Sequence, residues 1–170
     1  MKEIFLHAAG ATALTFGVAV FMTSAQQPAP PAITVAEDPE YANYLDAPQS
    51  AGTWVYVEEP GETLAVYGTG TGASTFLMRC AEGSVALARV ADTPAEQSRA
   101  MSVVTETVTR QLEVNPLGMN NVLFVNLAPT DPLLDAMAIT KGRFAVEVEG
   151  EQTLYLPAWA EVTRVIEDCR

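Results

Sequence analysis

The chain has 170 residues, 21 of them acidic against nine lysines and arginines, for a formal net charge of -12 at pH 7. Such a surface repels nucleic-acid phosphates and anionic lipid headgroups, which weighs against both as partners. The length suits one hydrophobic core and is short for two.

The first residues carry an address. Lys2 supplies positive charge beside Glu3, and Ala8 to Met22 holds no charged residue. That stretch is short for a spanning helix, which needs roughly 20 apolar residues. Thr23 and Ala25 place small side chains where a signal peptidase reads them, so residues 1–25 read as a secretory signal peptide and Gln26 as the new N-terminus. A retained anchor is the competing reading. The polar QQPAPP that follows, and the lack of a polybasic flank, favour cleavage and no stable membrane span afterwards. Periplasmic or secreted localisation follows.

Residues 26–50 hold five prolines and several acids with little periodicity, and read as a Pro-rich acidic tether. Docking of Tyr41, Tyr44 and Leu45 as a helical turn is the alternative. The folded domain is expected from 51 to 170. Thr53–Glu59 alternates and is rich in β-formers, and Pro60-Gly61 turns it. Leu64–Tyr67, Thr75–Cys80 and Ser84–Val90 read as further strands, with a clear hairpin across Ala81–Gly83. Met101–Val114 reads as strand because its threonines and valines crowd a helix. Val122–Ala128 is the most apolar strand and should be central.

Asp131–Ile139 reads as a short helix with Thr130 or Asp131 as cap and Pro132 at its first position. Arg143–Glu149 and Thr153–Leu156 form a second clear hairpin. Pro157–Cys169 reads as a terminal helix, with Trp159, Val162, Ile166 and Cys169 on one apolar stripe and Pro157 in its first turn. The fold class is therefore mainly β (α+β): about eight strands in an antiparallel sandwich or partly rolled sheet, with a mid-chain and a C-terminal helix.

Cys80 and Cys169 are the only cysteines. In an oxidising compartment an even pair is most simply a disulfide. It would close a loop of about 90 residues and pin the last helix to the sheet, worth roughly 4 kcal/mol on the chain-entropy model. Two distant cysteines lack the ligands for a metal, and no C-x-x-C pair offers redox catalysis.

Few residues suggest chemistry. His7 is the only histidine and lies within the signal peptide, which removes histidine-based triads and metal sites from the mature chain. The glycines at Gly68, Gly70 and Gly72, interleaved with Thr69 and Thr71 and ending at Ser74, invite a nucleotide reading. The spacing is not that of a dinucleotide or P-loop, and a strand follows rather than a helix. A surface loop, a possible binding loop through its amides and hydroxyls, fits better. Arg79 reads as a buried ion-pair donor or an edge residue. Arg143 is placed to pair with Asp131 or Asp135, and Trp54 to serve the core or a binding face. Carboxylate spacing matches no EF-hand. No cofactor or metal is expected.

Two resemblances bear on these segments. TFLMRCAEGSVALAR and the run from Asp131 to Arg170 resemble small exported proteins of alphaproteobacteria, sphingomonads in particular. That implies an envelope location and a compact fold over about Thr53–Arg170, and carries no catalytic residue. Phe76 to Cys80, an F-x-x-x-C strand feeding a hairpin, is similar to periplasmic lysozyme inhibitors, although their Ser-Gly-rich loop with basic and aromatic residues is absent. The expected function is a non-catalytic periplasmic protein that binds an unknown protein or envelope component. The alternatives are an inhibitor-like module acting through an exposed loop, and a small envelope enzyme without a histidine site.

Overall fold

The structure is a computed structural model that describes Tyr41 and residues 43–70, 72–118 and 121–170. The expected signal peptide, most of the expected tether and Thr71 lie outside the described residues.

Among the described residues the chain forms nine strands and two helices. The strands are β1 (Thr53–Glu59), β2 (Glu62–Gly68), β3 (Ser74–Ala81), β4 (Ser84–Val90), β5 (Arg99–Val104), β6 (Thr109–Pro116), β7 (Val122–Leu127), β8 (Arg143–Val148) and β9 (Leu154–Pro157). The helices are α1 (Pro132–Ile139) and α2 (Ala160–Asp168). All strand pairs are antiparallel, in the order β1-β2-β3-β4-β7-β6-β5-β8-β9. They form one curled half-barrel sheet, the rolled alternative rather than the sandwich. The apolar strand β7 sits at its centre, as its composition predicts.

Alternation places one face of each strand inside the curl. Ala65 and Tyr67 of β2, Phe76 and Met78 of β3, Val85 and Leu87 of β4, and Phe144 and Val146 of β8 are fully buried. Each Val, Leu, Phe or Met side chain among them contributes roughly 1.5–3 kcal/mol by leaving water. Both helices turn toward this core, α1 through Leu133, Leu134 and Met137 and α2 through Val162, Val165 and Ile166.

Local chemistry sets the turns. Glu82 and Gly83 have φ of 50° and 69°, the two positive values of a tight hairpin between β3 and β4. The Asp131 carboxylate caps α1 by accepting from Leu133 N at 2.9 Å, with Pro132 at the first helical position.

Three expectations are corrected. Met101–Val114 is a hairpin, not one strand, which raises the count from about eight to nine. Its turn is built by Thr105, whose N–H donates to the Val108 carbonyl and whose hydroxyl accepts from Val108 N. Pro157 ends β9 rather than opening a helix. Trp159, expected in the core, precedes α2 and is 44% exposed, because the helical stripe begins only at Val162.

The end of the tether range lies against the domain. Asp46 N and Ala47 N bond back to Asn43 and Tyr44 carbonyls in a turn, and Ala47 is buried. The Arg143 guanidinium donates to the Ala47 carbonyl. Ser50 N donates to the Tyr155 carbonyl, and the Ser50 hydroxyl accepts from Tyr155 N, so this segment covers the β9 edge.

Candidate functional site

The two ends of the curl are finished differently. At one end, β3 reaches Cys80 and α2 reaches Cys169. These two form a disulfide with Cα atoms 5.4 Å apart, bridging 89 residues of sequence. The bond ties the last helix to the sheet, as the pairing of two lone cysteines implies.

Beside the disulfide lies a cleft of about 540 Å³. Three pieces of chain build it: the β1–β2 hairpin, the β3–β4 hairpin and the end of α2. Each brings acids, namely Glu58, Glu59 and Glu62, then Glu82, then Asp168. Cys80 and Cys169 form part of its wall. Their convergence follows from topology: two hairpin tips at the same end of neighbouring strands, with the helix terminus stapled between them.

Cations temper this charge only in part. The Arg79 guanidinium donates to Glu62. Arg164 lies 3.8 Å above the Tyr56 ring and 3.9 Å from Glu58. Arg170 is turned to Asp135 at 2.6 Å and to the Pro129 carbonyl at 2.9 Å. Glu59 and Glu82 have no ion pair among the described residues. The Tyr56 hydroxyl donates to Asp168 at 2.7 Å. That bond, aided by partial desolvation, pushes the phenol above its ordinary value. Among the described residues no three acids, cysteines or histidines converge to hold a metal ion.

At the opposite end a buried ionic cluster fills the curl. Arg89 continues the inward row Val85-Leu87, and its side chain is 3% exposed. Its guanidinium donates to the carbonyls of Thr75 at 3.2 Å and of Val90. Glu151, from the β8–β9 turn, is 1% exposed at its side chain. It accepts from Arg99 at 2.7 Å and from Asp92 N at 2.8 Å, and lies 4.0 Å from Arg89. Burial pushes Arg89 below its ordinary value, while Glu151 and Asp92 oppose that shift. Sequence reading missed this cluster because Glu151 looks like a solvated turn residue.

The glycine loop connects β2 to β3. Gly68 is its buried base, where a Cβ would overlap the Ala73 carbonyl. Thr69 N donates to that same carbonyl at 3.3 Å. Thr69, Gly70 and Gly72 are exposed, and Ser74 opens β3. The loop leads into Thr75, which Arg89 holds, so it belongs to the ionic end and not to the acidic cleft.

The other candidates are dispersed. Trp54 is a core residue whose indole donates to the Pro157 carbonyl at 2.8 Å. Arg79 is exposed rather than buried. Arg143 holds Ala47 instead of an aspartate: Asp131 is taken by Arg110 at 2.5 Å and Asp135 by Arg170.

No family model matches the chain, and neither a curated protein nor a solved structure is similar to it.

Proposed function

We propose that this chain is an exported, non-catalytic protein that binds another macromolecule by presenting the acidic cleft beside its disulfide to a basic segment of that partner. The observation that carries the reading is the convergence of five carboxylates from three chain segments on one open concavity, three of them (Glu59, Glu82 and Asp168) without a cation partner among the described residues. Gathered on one concave face, such charges favour lysine and arginine, and they speed the encounter at low salt. The disulfide supports export, since such bonds persist in oxidising compartments. No helix among the described residues is long and apolar enough to cross a membrane.

The test is a pull-down with the exported protein from periplasmic extract, with intact-mass analysis of the bait. The expected result is one stoichiometric basic partner and a mature chain starting near Gln26. Glu59→Gln with Glu82→Gln should weaken capture by about tenfold, through the association rate and the salt dependence. Capture that survives both substitutions and high salt overturns the cleft. A full-length chain in the inner membrane overturns export.

A second reading has one observation in its favour. The loop Gly68–Ser74 presents an exposed tip on a buried base, the form in which an inhibitor enters an enzyme cleft. Gly70→Arg should abolish partner capture on that reading and leave it intact on the first.

A further inference from the structure

The outer face of half the sheet is apolar where it should be polar. In the register, Val55 faces Val66, Val66 faces Leu77, Leu77 faces Ala88, and Ala88 faces Phe124. These five residues form one unbroken row across β1, β2, β3, β4 and β7. All alternate with core residues, so they lie on the face away from the core. The helices are on the inner side, with α1 and α2 both built into the core. Val55 is accordingly 53% exposed, and the other four are half-buried.

The flanking rows extend the patch in part. Val57 faces Leu64 on one side, before that row meets Arg79, and Val90 faces Val122 on the other, beyond Gly68 and Ser74. The contrast with β6 is sharp: its outer positions Thr109, Gln111, Glu113 and Asn115 are polar and exposed. An antiparallel sheet with one wet face alternates apolar and polar, as β6 does. Strands apolar on both faces are those covered on both. An exposed apolar patch of this extent marks an interaction surface.

We infer that this face is covered by the same face of a second copy, making a two-sheet sandwich across a twofold axis. Size supports that occupant. Five strands about 4.8 Å apart and three rows about 6.8 Å apart span roughly 24 by 20 Å. With side-chain relief that is about 600–800 Å² per copy, near the ~800 Å² a standard interface buries on each partner. Charge does not oppose it at this edge, where Arg79 and Glu62 pair with each other and neutralise one another. A lipid surface fits less well, because the acids at the hairpin tips of the same strands repel anionic headgroups. Two sheets packed this way lie about 10 Å apart, and the acidic cleft at the strand ends stays open to its own partner.

The net charge sets a sign. Two copies at -12 each repel, so added salt should strengthen the dimer as it screens them. The experiment is sedimentation equilibrium of the exported protein at about 100 μM, at about 0.05 and 0.5 M salt. A dimer that tightens with salt is expected. Leu77→Glu and Val66→Glu should each weaken it by about 100-fold with an unchanged circular-dichroism spectrum. Where either fails to fold, Leu77→Gln replaces it, with weakening of about tenfold. Gln111→Glu, on the polar half of the same face, should leave the dimer unchanged. A monomer under all conditions overturns the inference, whether it stays free or binds neutral lipid vesicles. So does a dimer indifferent to position 77.

Discussion

The indole N–H of Trp54 donates to the carbonyl of Pro157 at 2.8 Å, joining the first strand of the half-barrel to the last. The two strands are not hydrogen-bonded as a ladder, so this contact, with the Ser50–Tyr155 pair, bridges the open seam. The same ring packs edge-on against Tyr67 with centroids 5.1 Å apart. Trp54→Phe keeps an aromatic ring there and removes the donor. The expected loss is about 1–3 kcal/mol in urea unfolding, from the lost bond and the smaller ring. Pro157 keeps a second donor in Trp159 N at 3.0 Å, which limits the cost. No change in the unfolding midpoint would show that the seam carries no load.

The staple gives a second test. Cys80→Ser and Cys169→Ser each break one bond, so each should destabilise by about 2–5 kcal/mol, and the double variant by about as much as one single. Thiol titration of the protein purified without reductant should find no free thiol, since both cysteines are bonded. Two reactive thiols in folded protein would contradict the bond. Losing it should also loosen the cleft, because Cys169 fixes the end of α2 that carries Asp168.

At the other end, the Glu151 carboxylate sits between Arg89 and Arg99 with no water-facing surface to spare. Removing it strands the Arg89 charge in a buried site. Glu151→Ala should therefore cost about 3–5 kcal/mol. Arg89→Met combined with Glu151→Leu should cost less than the sum of the single changes by about 1–3 kcal/mol, since no lone charge then remains fully buried, Arg99 being 22% exposed. Additive losses in a double-mutant cycle would show that the two charges are not coupled.

What the sequence disclosed follows the range of the forces involved. Local alternation and turn chemistry made the β3–β4 and β8–β9 hairpins legible, and a capping carboxylate followed by proline made α1 legible. The two cysteines reported one long-range contact because only one pairing exists. The Thr105 turn was missed because threonine also favours strands, and its role there rests on a hydroxyl bonded three residues away. Trp159 fits a helical stripe by spacing, but spacing does not say where the helix begins. The cleft, the Arg89–Glu151 cluster and the partner of Arg143 each join segments tens of residues apart, and no local pattern encodes that meeting. The apolar outer row was present in the letters of β1 to β4, yet only the register aligns it.

The last prediction concerns Tyr67 and the segment that precedes β1. The Tyr67 ring is fully buried, and its hydroxyl donates to the Ser50 carbonyl at 2.7 Å while accepting from the Gln49 amide at 3.1 Å. Burial pushes its phenol above the ordinary value of 10.0, and the Gln49 bond opposes that shift. Raised in the folded state, this phenol favours folding below about pH 10, and the contribution is lost as pH rises through the folded value. Ionisation would also remove the proton that holds Ser50, and with Ser50 the cover over the Tyr155 edge. Alkaline titration followed by tyrosine absorbance should therefore show Tyr67 ionising late, together with loss of stability. Tyr67→Phe should lower stability at neutral pH by about 1–2 kcal/mol, because the Ser50 carbonyl and the Gln49 amide lose a partner. It should also flatten the alkaline slope. A chain beginning at Gly52 should lose a comparable amount and show the same flattening. If the slope above pH 10 is unchanged in Tyr67→Phe, the segment is not held by this phenol.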